Sequence, residues 1–348
     1  MPAPIRPRRS ILFMPGSNPR ALEKARVLPA DGLIFDLEDA VAPEAKDTAR
    51  AAVAAAVTVG GYAPRELILR VNPLDTAWGH ADLATAATLR IDAVLLPKVE
   101  NAERVRLTID LLDALGAPPE LAVWCMIETP LGVLAAAEIA AAGSPVAALV
   151  LGTSDLANDL HARPARDRLP LMTGLGLVLL AARAHGKAAL DGVHLDLADA
   201  EGFAFACRQG RDLGFDGKTL IHPDQIGPAN AIFAPAPEEI ARATRLIAAY
   251  VEANASGKGA PVSKAASSKR CTSRRPAARL PSPTPSREEN RVEAPTKAPL
   301  PHRGRGRGPS RSDGRVRVWV WNKETPSPGS PCGLATLSRN AGEGLRSR

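Results

Sequence analysis

Short apolar runs alternate with longer helical segments along the first 257 residues, and this alternation is what most restricts the fold. The runs are rich in Ile, Val, Leu and Phe, whereas the segments between them are rich in Ala, Leu, Arg and Glu. This order is typical of successive βα units around a parallel sheet. We predict eight strands, over Ser10–Met14, Gly32–Leu37, Glu66–Val71, Ala93–Pro97, Leu121–Ile127, Ala147–Leu151, Gly192–Leu195 and Phe215–Ile221.

A helix is predicted after each strand. The eight helices span Arg20–Leu28, Ala45–Val57, Leu83–Leu89, Ala102–Leu115, Gly132–Ala141, Leu169–Ala184, Ala200–Leu213 and Glu238–Asn254. Eight βα units predict an α/β fold that closes into a (β/α)8 TIM barrel. An open, doubly wound sheet is the alternative, although no glycine-rich dinucleotide fingerprint follows the first strand.

The composition changes sharply near residue 257. Residues 258–348 are dominated by Pro, Ser, Arg and Gly and carry 20 Lys+Arg against 6 Asp+Glu. The net charge of +7 for the whole chain therefore comes from this region, and residues 1–257 are acidic. We therefore predict a folded domain over residues 1–257 and a disordered, low-complexity basic tail over residues 258–348. Nucleic-acid binding, which a pI near 9.5 would suggest, is expected at most non-specifically through that tail.

The cysteines and the N-terminus indicate a cytoplasmic protein. Cys125, Cys207, Cys271 and Cys332 lie far apart and form neither a zinc-type nor a disulfide-rich pattern. Residues 1–9 carry three arginines but are not followed by a signal-peptide apolar stretch, and no run approaches a membrane span.

Polar residues follow the predicted strands at their C-terminal ends, where a (β/α)8 barrel places its active site. They are Asp36, Glu38 and Asp39, then Arg70, Lys98, Glu128, Asp155 and His222. Glu128 and Asp155 end neighbouring strands and are predicted to approach one Mg²⁺, which usually accepts one or two protein carboxylates. Alternatively, Asp155 caps the following loop and Glu128 pairs with a surface arginine.

Arg70 and the three acids after the second strand are the other candidate site residues. The Arg70 guanidinium is predicted to bind a substrate carboxylate through two parallel hydrogen bonds, or else to pair with Asp36 or Asp39. Strand alternation points Asp36 and Glu38 to one face and Asp39 to the other. These acids are predicted to orient metal-bound or catalytic water, while Asp39 is equally suited to capping the next helix.

Two lysines and a histidine support a second mechanism. Lys98 and Lys218 lie at barrel strands, and a buried lysine of lowered pKa would be the nucleophile of a Schiff-base aldolase. His222 is predicted to act as a general base or hydrogen-bond donor, or to be a structural histidine beside Pro223.

Six ordered segments resemble the citrate lyase β-subunit, malyl-CoA lyase and citramalyl-CoA lyase family, also known as the HpcH/HpaI aldolases. They are Arg9–Ser17, Phe35–Val41, Leu69–Asn72, Leu96–Glu100, Ile127–Thr129 and Gly217–Pro223. The resemblance covers Arg9 to about Asn254 and implies a (β/α)8 barrel assembled as trimers or hexamers.

The resemblance also implies a chemistry and its residues. Glu128 and Asp155 would hold Mg²⁺, Arg70 the substrate carboxylate, and Phe13, Arg20 and Lys24 the pantetheine and phosphates of CoA. The implied reaction is aldol-type cleavage of a malyl-, citramalyl- or citryl-type CoA thioester to acetyl-CoA, or a homologue, and a 2-oxo acid.

The chain departs from this family after Gly259. Members usually continue into a short strand and a helix that closes over the site, whereas here the Pro/Arg/Ser-rich tail begins. We hypothesise that the tail is out-of-frame or otherwise unselected sequence in place of that lid; a genuine disordered tail that recruits nucleic acid is the competing interpretation. Loss of the lid would favour thioester hydrolysis, or leave a CoA-binding subunit without turnover.

Overall fold

The computed structural model describes residues 6–163 and 165–255, which fall into two compact units that separate after Phe233. The first unit contains eight strands. They are β1 Ser10–Pro15, β2 Gly32–Asp36, β3 Glu66–Arg70, β4 Ala93–Leu96, β5 Ala122–Ile127, β6 Val146–Leu151, β7 Ala188–Asp191 and β8 Gly217–Leu220.

The eight strands form a closed parallel barrel in sequence order. Ile11 of β1 is paired on one side with Gly32 of β2 and on the other with Thr219 of β8, so the sheet has no free edge. The predicted (β/α)8 barrel is therefore confirmed, and the open doubly wound sheet is wrong.

Alternation along each strand divides the apolar side chains into two layers. On β2, Ile34 packs with interior residues of other strands, whereas Leu33 and Phe35 pack against the surrounding helices. Trp124 of β5 and Leu95 of β4 are fully buried among the interior residues. Since side chains fill the interior, the barrel is a packed core whose usable surface lies at the strand ends.

Eleven α-helices are present in the described residues. They are α1 Pro19–Ala25, α2 Lys46–Val59, α3 Gly79–Thr88, α4 Ala102–Ala114, α5 Pro130–Leu134, α6 Ala136–Ala140, α7 Thr153–Asp159, α8 Met172–Ala184, α9 Ala200–Leu213, α10 Ile226–Phe233 and α11 Pro237–Ala255. The sequence did not predict α7 or α10, and the single helix expected over Gly132–Ala141 is broken at Ala135.

The seventh strand is the one strand whose predicted position is wrong. It spans Ala188–Asp191, and Ala188 pairs with Ala148 of β6, whereas the predicted stretch Gly192–Leu195 is a loop. The apolar alternation there was misleading, because Leu195 is 43% exposed. Only the tertiary pairing identifies Ala188–Asp191, which lacks the β-branched residues that usually mark a strand.

Helix α11 belongs to the second unit, which is described by itself. Its first turn contains Glu238 and Glu239, acids that suit the N-terminus of a helix. The predicted tail and the boundary at residues 257 and 258 lie outside the described residues. None of the helices between residues 6 and 255 has both the length and the apolarity needed to cross a membrane.

Candidate active site

The predicted polar residues meet at the C-terminal rim of the barrel. Asp36 and Arg70 are the last residues of β2 and β3, and Arg70 is paired in register with Leu95 of β4. Glu128 follows β5 directly, and Asp155 lies in the first turn of α7, which follows β6. Neighbouring strands thus bring together side chains that are far apart in sequence.

Arg70 is buried and is held by the second strand. Its Nε donates to Asp36 Oδ1 at 2.7 Å and its Nη2 to Asp36 Oδ2 at 2.5 Å. Its Nη1 lies 2.9 Å from Glu38 Oε2, and the guanidinium stacks over the Phe13 ring at 4.8 Å. Asp36 therefore occupies the Nε/Nη2 edge of the guanidinium, while Nη1 faces the carboxylates of Glu38 and Asp39.

Asp36 orients Arg70 and has no acceptor position left for a reacting group. Besides Arg70, Oδ1 accepts the backbone N–H of Glu38 at 2.8 Å and Oδ2 that of Ala40 at 3.1 Å. A carboxylate has about four lone-pair positions, and protein donors use all four here. These contacts are those of a residue that positions Arg70, and the catalytic role of Asp36 stays a prediction.

Glu38 and Asp39 also face the two cations of the rim. Buried Glu38 accepts from Lys98 Nζ at 2.7 Å, whereas Asp39 is 40% exposed and lies 3.5 Å from Arg70 Nη1 and 3.7 Å from Lys98 Nζ. The expectation of opposite faces is wrong, because the chain leaves strand geometry after Asp36. The capping interpretation of Asp39 is also wrong, since Ala42 precedes the next helical turn.

A buried lysine behind these acids was missed from the sequence. Lys46 Nζ donates to the carbonyls of Leu37 and Glu38 at 2.8 and 2.7 Å and to Asn72 Oδ1 at 2.7 Å. Burial lowers the pKa of Lys46, although Glu38 and other acids partly oppose this. Lys46 thus fixes the backbone of the acid-bearing loop, and an isolated lysine at the start of a helix gives no sequence signal of that role.

Lys98 connects the acids of β2 with Glu128 and Asp155. Its backbone N–H donates to Glu128 Oε1 at 2.8 Å, and its Nζ lies 3.8 Å from Asp155 Oδ2. Burial raises the pKa of Glu128 to about 8, with a further contribution from the charge of Glu38. The capping and surface-arginine interpretation does not hold. Gly152 is the N-cap of α7 and no side chain caps it, and buried Glu128 accepts from the Lys98 backbone.

The Glu128–Asp155 pair fits a hard divalent cation with few protein ligands. Gly152 leaves the space for Glu128, since a Cβ at Gly152 would lie 2.5 Å from Glu128 Oε2. Within residues 6–163 and 165–255, no group of three or more His, Cys, Asp or Glu side chains forms a complete metal cage. Two carboxylate donors with other positions left to water and substrate are the set that Mg²⁺ prefers.

The two lysines of the Schiff-base alternative have different surroundings, and that mechanism stays a prediction. Burial alone would lower the pKa of Lys98, but the charges of Glu38 and Asp39 outweigh it and hold the amine protonated. Lys218 is fully buried, lies 3.0 Å from Asp191 Oδ2 and also donates to the Gly192 carbonyl. Asp191 ends β7 and faces Gly210 of α9, so Lys218 is enclosed between strand and helix. Burial lowers the pKa of Lys218, although the charge of Asp191 partly opposes this.

The remaining predicted residues lie around the same end of the barrel or beside it. His222 Nδ1 accepts the backbone N–H of Asp224 in a capping box, which supports its structural interpretation. Phe13 forms the wall beneath Arg70, and Arg20 and Lys24 are exposed on one face of α1. Their contact with CoA stays a prediction.

Comparisons with known proteins identify the family of this chain. A family model described as HpcH/HpaI aldolase/citrate lyase matches residues 9–223. The chain is 50% identical over 256 residues to a (3S)-malyl-CoA thioesterase of Cereibacter sphaeroides, covering 74% of this chain and 87% of that protein. It is 39% identical over 257 residues to the citrate lyase subunit beta of Leuconostoc mesenteroides, covering 72% and 85%.

Solved structures show the same barrel. The protein CitE from Mycobacterium tuberculosis, in complex with magnesium, acetoacetate and coenzyme A, is 34% identical with a TM-score of 0.57, covering 71% of this chain and 88% of that one. RipC from Yersinia pestis is 31% identical with a TM-score of 0.57, covering 67% and 97%. From the matched motifs, the closed barrel and these relatives, the chain belongs to the HpcH/HpaI aldolase/citrate lyase family, whose members include CoA-ester lyases.

Proposed function

We propose that the protein is a Mg²⁺-dependent carbon–carbon lyase that cleaves a malyl-type hydroxyacyl-CoA thioester. The products would be acetyl-CoA, or a homologue, and a 2-oxo acid such as glyoxylate, pyruvate or oxaloacetate. One observation carries the proposal: the carboxylates of Glu128 and Asp155 lie beside Lys98, on the same rim as the guanidinium end of Arg70. A 2-hydroxy acid has a carboxylate and a hydroxyl suited to these two neighbouring groups.

Each side chain has a role that follows from its surroundings. Arg70, stacked on Phe13 and fixed by Asp36, would orient the substrate carboxylate through its Nη1/Nη2 end. Asp39, exposed and only loosely held, would move a proton at the substrate. Mg²⁺ bound by Glu128 and Asp155 would supply Lewis acidity to the hydroxyl and carboxylate oxygens.

The CoA part of the substrate is proposed to lie along α1. Arg20 and Lys24 are one helical turn apart and exposed, so both cations can face phosphates. A CitE structure that contains coenzyme A supports a CoA substrate for this fold. We propose a homotrimer or homohexamer on the family resemblance, to be measured by light scattering on the full chain.

The full-length protein assayed with malyl-, citramalyl- and citryl-CoA tests the reaction. We expect acetyl-CoA and a 2-oxo acid to form with Mg²⁺ and to stop with EDTA, and Glu128→Ala to remove this activity. Arg106→Met, on the outer face of α4, is the matched control and should keep it. If none of the three thioesters releases acetyl-CoA, the lyase proposal is wrong, and hydrolysis or CoA binding without turnover remains.

Hydrolysis of the thioester is the second candidate, favoured by the 50% identity to (3S)-malyl-CoA thioesterases. The same pocket would hold malyl-CoA, with water attacking the thioester carbonyl and CoA leaving as the thiol. Hydrolysis gives free CoA and malate without acetyl-CoA or glyoxylate. Chromatography of the CoA species therefore separates the two reactions in a single experiment.

A further inference from the structure

We propose that the Lys98 ammonium is an internal counter-ion of the carboxylate pair: it competes with the divalent cation for Asp155 while it holds Glu38 in place. The inference rests on the proposed divalent-cation site and deepens it. Lys98 is here a positioning residue, because it acts on the carboxylates and not on the substrate.

The backbone of Lys98 supports this role. Its φ of 50° lies in the left-handed region, which a residue with a Cβ rarely adopts and which concentrates at functional sites. In this conformation the peptide N–H faces Glu128 Oε1 at 2.8 Å while the side chain reaches Glu38. One residue thus touches both halves of the site, the acids after β2 and the pair after β5 and β6.

The charges around the ammonium show what it competes with. Lys98 Nζ lies 2.7 Å from Glu38, 3.7 Å from Asp39 and 3.8 Å from Asp155. Glu38 and Asp39 belong to the connection after β2, and Asp155 belongs to the first turn of α7 after β6. Lys46 is the other lysine nearby, and its ammonium donates three hydrogen bonds, to the carbonyls of Leu37 and Glu38 and to Asn72 Oδ1. A divalent cation on Asp155 would therefore be next to the ammonium, and the two like charges repel.

Lys98 is able to give way without leaving the site. Its side chain is 40% exposed, so the ammonium can remain solvated, and its 2.7 Å contact with Glu38 is much shorter than its 3.8 Å approach to Asp155. We therefore infer that cation binding separates Lys98 from Asp155 and leaves Glu38 held. The ammonium then limits affinity for the cation and maintains the geometry needed for turnover.

Three substitutions of Lys98 separate charge, shape and backbone. Lys98→Met keeps the length of the side chain without its charge, Lys98→Arg keeps the charge, and Lys98→Gly removes the side chain but suits the left-handed backbone. Arg106→Met makes the same change of net charge on the outside of α4. Binding of Mn²⁺ alone, by electron paramagnetic resonance and calorimetry at pH 9, is the readout that needs no turnover.

We expect Lys98→Met and Lys98→Gly to bind Mn²⁺ about tenfold more tightly than the wild type, and Lys98→Arg to bind it as the wild type does. The kcat of both neutral variants should fall and be restored in Lys98→Arg. A purely structural role would weaken binding and turnover together, whereas a counter-ion moves them in opposite directions. If Lys98→Met does not fold, Lys98→Gly carries the comparison alone.

Unchanged or weaker Mn²⁺ binding in the neutral variants would overturn the counter-ion role. The same result in Arg106→Met as in Lys98→Met would overturn it too, because the effect would then be one of net charge. If the wild type binds no Mn²⁺, the proposed function fails instead, so the two failures are distinguishable.

Discussion

Asp36 holds Arg70 by two hydrogen bonds, from Nε and Nη2, and so fixes the orientation of the guanidinium. Both side chains are buried, and the Asp36 carboxylate also accepts two backbone N–H groups, those of Glu38 and Ala40. Preorganisation of this kind fixes a binding group before the substrate arrives.

We expect Asp36→Asn to lower kcat/KM about 100-fold and to destabilise the fold by about 3 kcal/mol, because it leaves a buried guanidinium without its full partner. Urea unfolding and steady-state kinetics measure the two effects. Asp47→Asn, which removes an exposed carboxylate that pairs with Arg50, is the control and should change both by little. Normal kinetics in Asp36→Asn would contradict the positioning role.

Substitutions of Asp39 and Glu38 should differ in their effect on the stability of the fold. Asp39 is exposed and weakly held, so Asp39→Asn is expected to lower kcat about 100-fold with a stability change under about 0.5 kcal/mol. Buried Glu38 pairs with both Arg70 and Lys98, so Glu38→Gln should lower both activity and stability. Equal stability losses in the two variants would argue against this division.

Gly152→Ala should displace Glu128 and weaken divalent-cation binding. The added Cβ would lie 2.4 Å from Glu128 Cβ and 2.5 Å from Oε2, closer than nonbonded atoms tolerate. We expect at least about tenfold weaker Mn²⁺ binding from this displacement of a ligand. Gly176→Ala is the matched control, because nothing lies within 4 Å of its added Cβ in α8, and it should be neutral or slightly stabilising.

Cation binding is expected to be pH-dependent through Glu128. The pKa of Glu128 near 8 in the metal-free protein means that a proton occupies the ligand below that pH. The apparent affinity for Mg²⁺ should therefore rise about tenfold per pH unit below pH 8 and level off above it. Calorimetry in buffers of different ionisation enthalpy measures the proton released, and no release at pH 7 would contradict the prediction.

The same raised pKa has a consequence for stability without metal. Between the ordinary pKa of 4.5 and the raised value near 8, the folded state holds a proton that the unfolded chain has lost. Stability should therefore fall as the pH rises through this window. Glu128→Gln should remove that part of the slope, and unfolding of both proteins in EDTA at pH 6 and pH 8.5 provides the comparison.

Borohydride should trap no covalent adduct with pyruvate or glyoxylate, because Lys98 is held protonated and Lys218 is enclosed. Intact-mass spectrometry after reduction checks this, and a mass increase at either lysine would revive the Schiff-base mechanism. We also expect Lys218→Met to destabilise the protein by about 3 to 5 kcal/mol, since the fully buried Asp191 would lose one of its two cationic partners.

The sequence by itself determined the barrel and the composition of its rim. Eight apolar runs separated by helical segments leave few alternatives to a parallel barrel, and strand ends in a parallel sheet all meet at one edge. For this reason the order of residues alone predicts that Arg70, Glu128 and Asp155 lie at the rim. The seventh strand was misplaced, because Ala188–Asp191 becomes a strand through its pairing with β6 and not through its own residue preferences.

Only the tertiary structure decided which role is open to each residue of the rim. Residues of one chemical type, such as Asp36 and Asp39 or Lys98 and Lys218, differ in which donors and acceptors surround them and in how far water reaches them. Those surroundings come from segments distant in sequence, including α2, which supplies Lys46, and α9, which covers Asp191. Residue order fixes which groups reach the rim, whereas hydrogen-bond saturation and burial, which arise from packing, fix what each can do there.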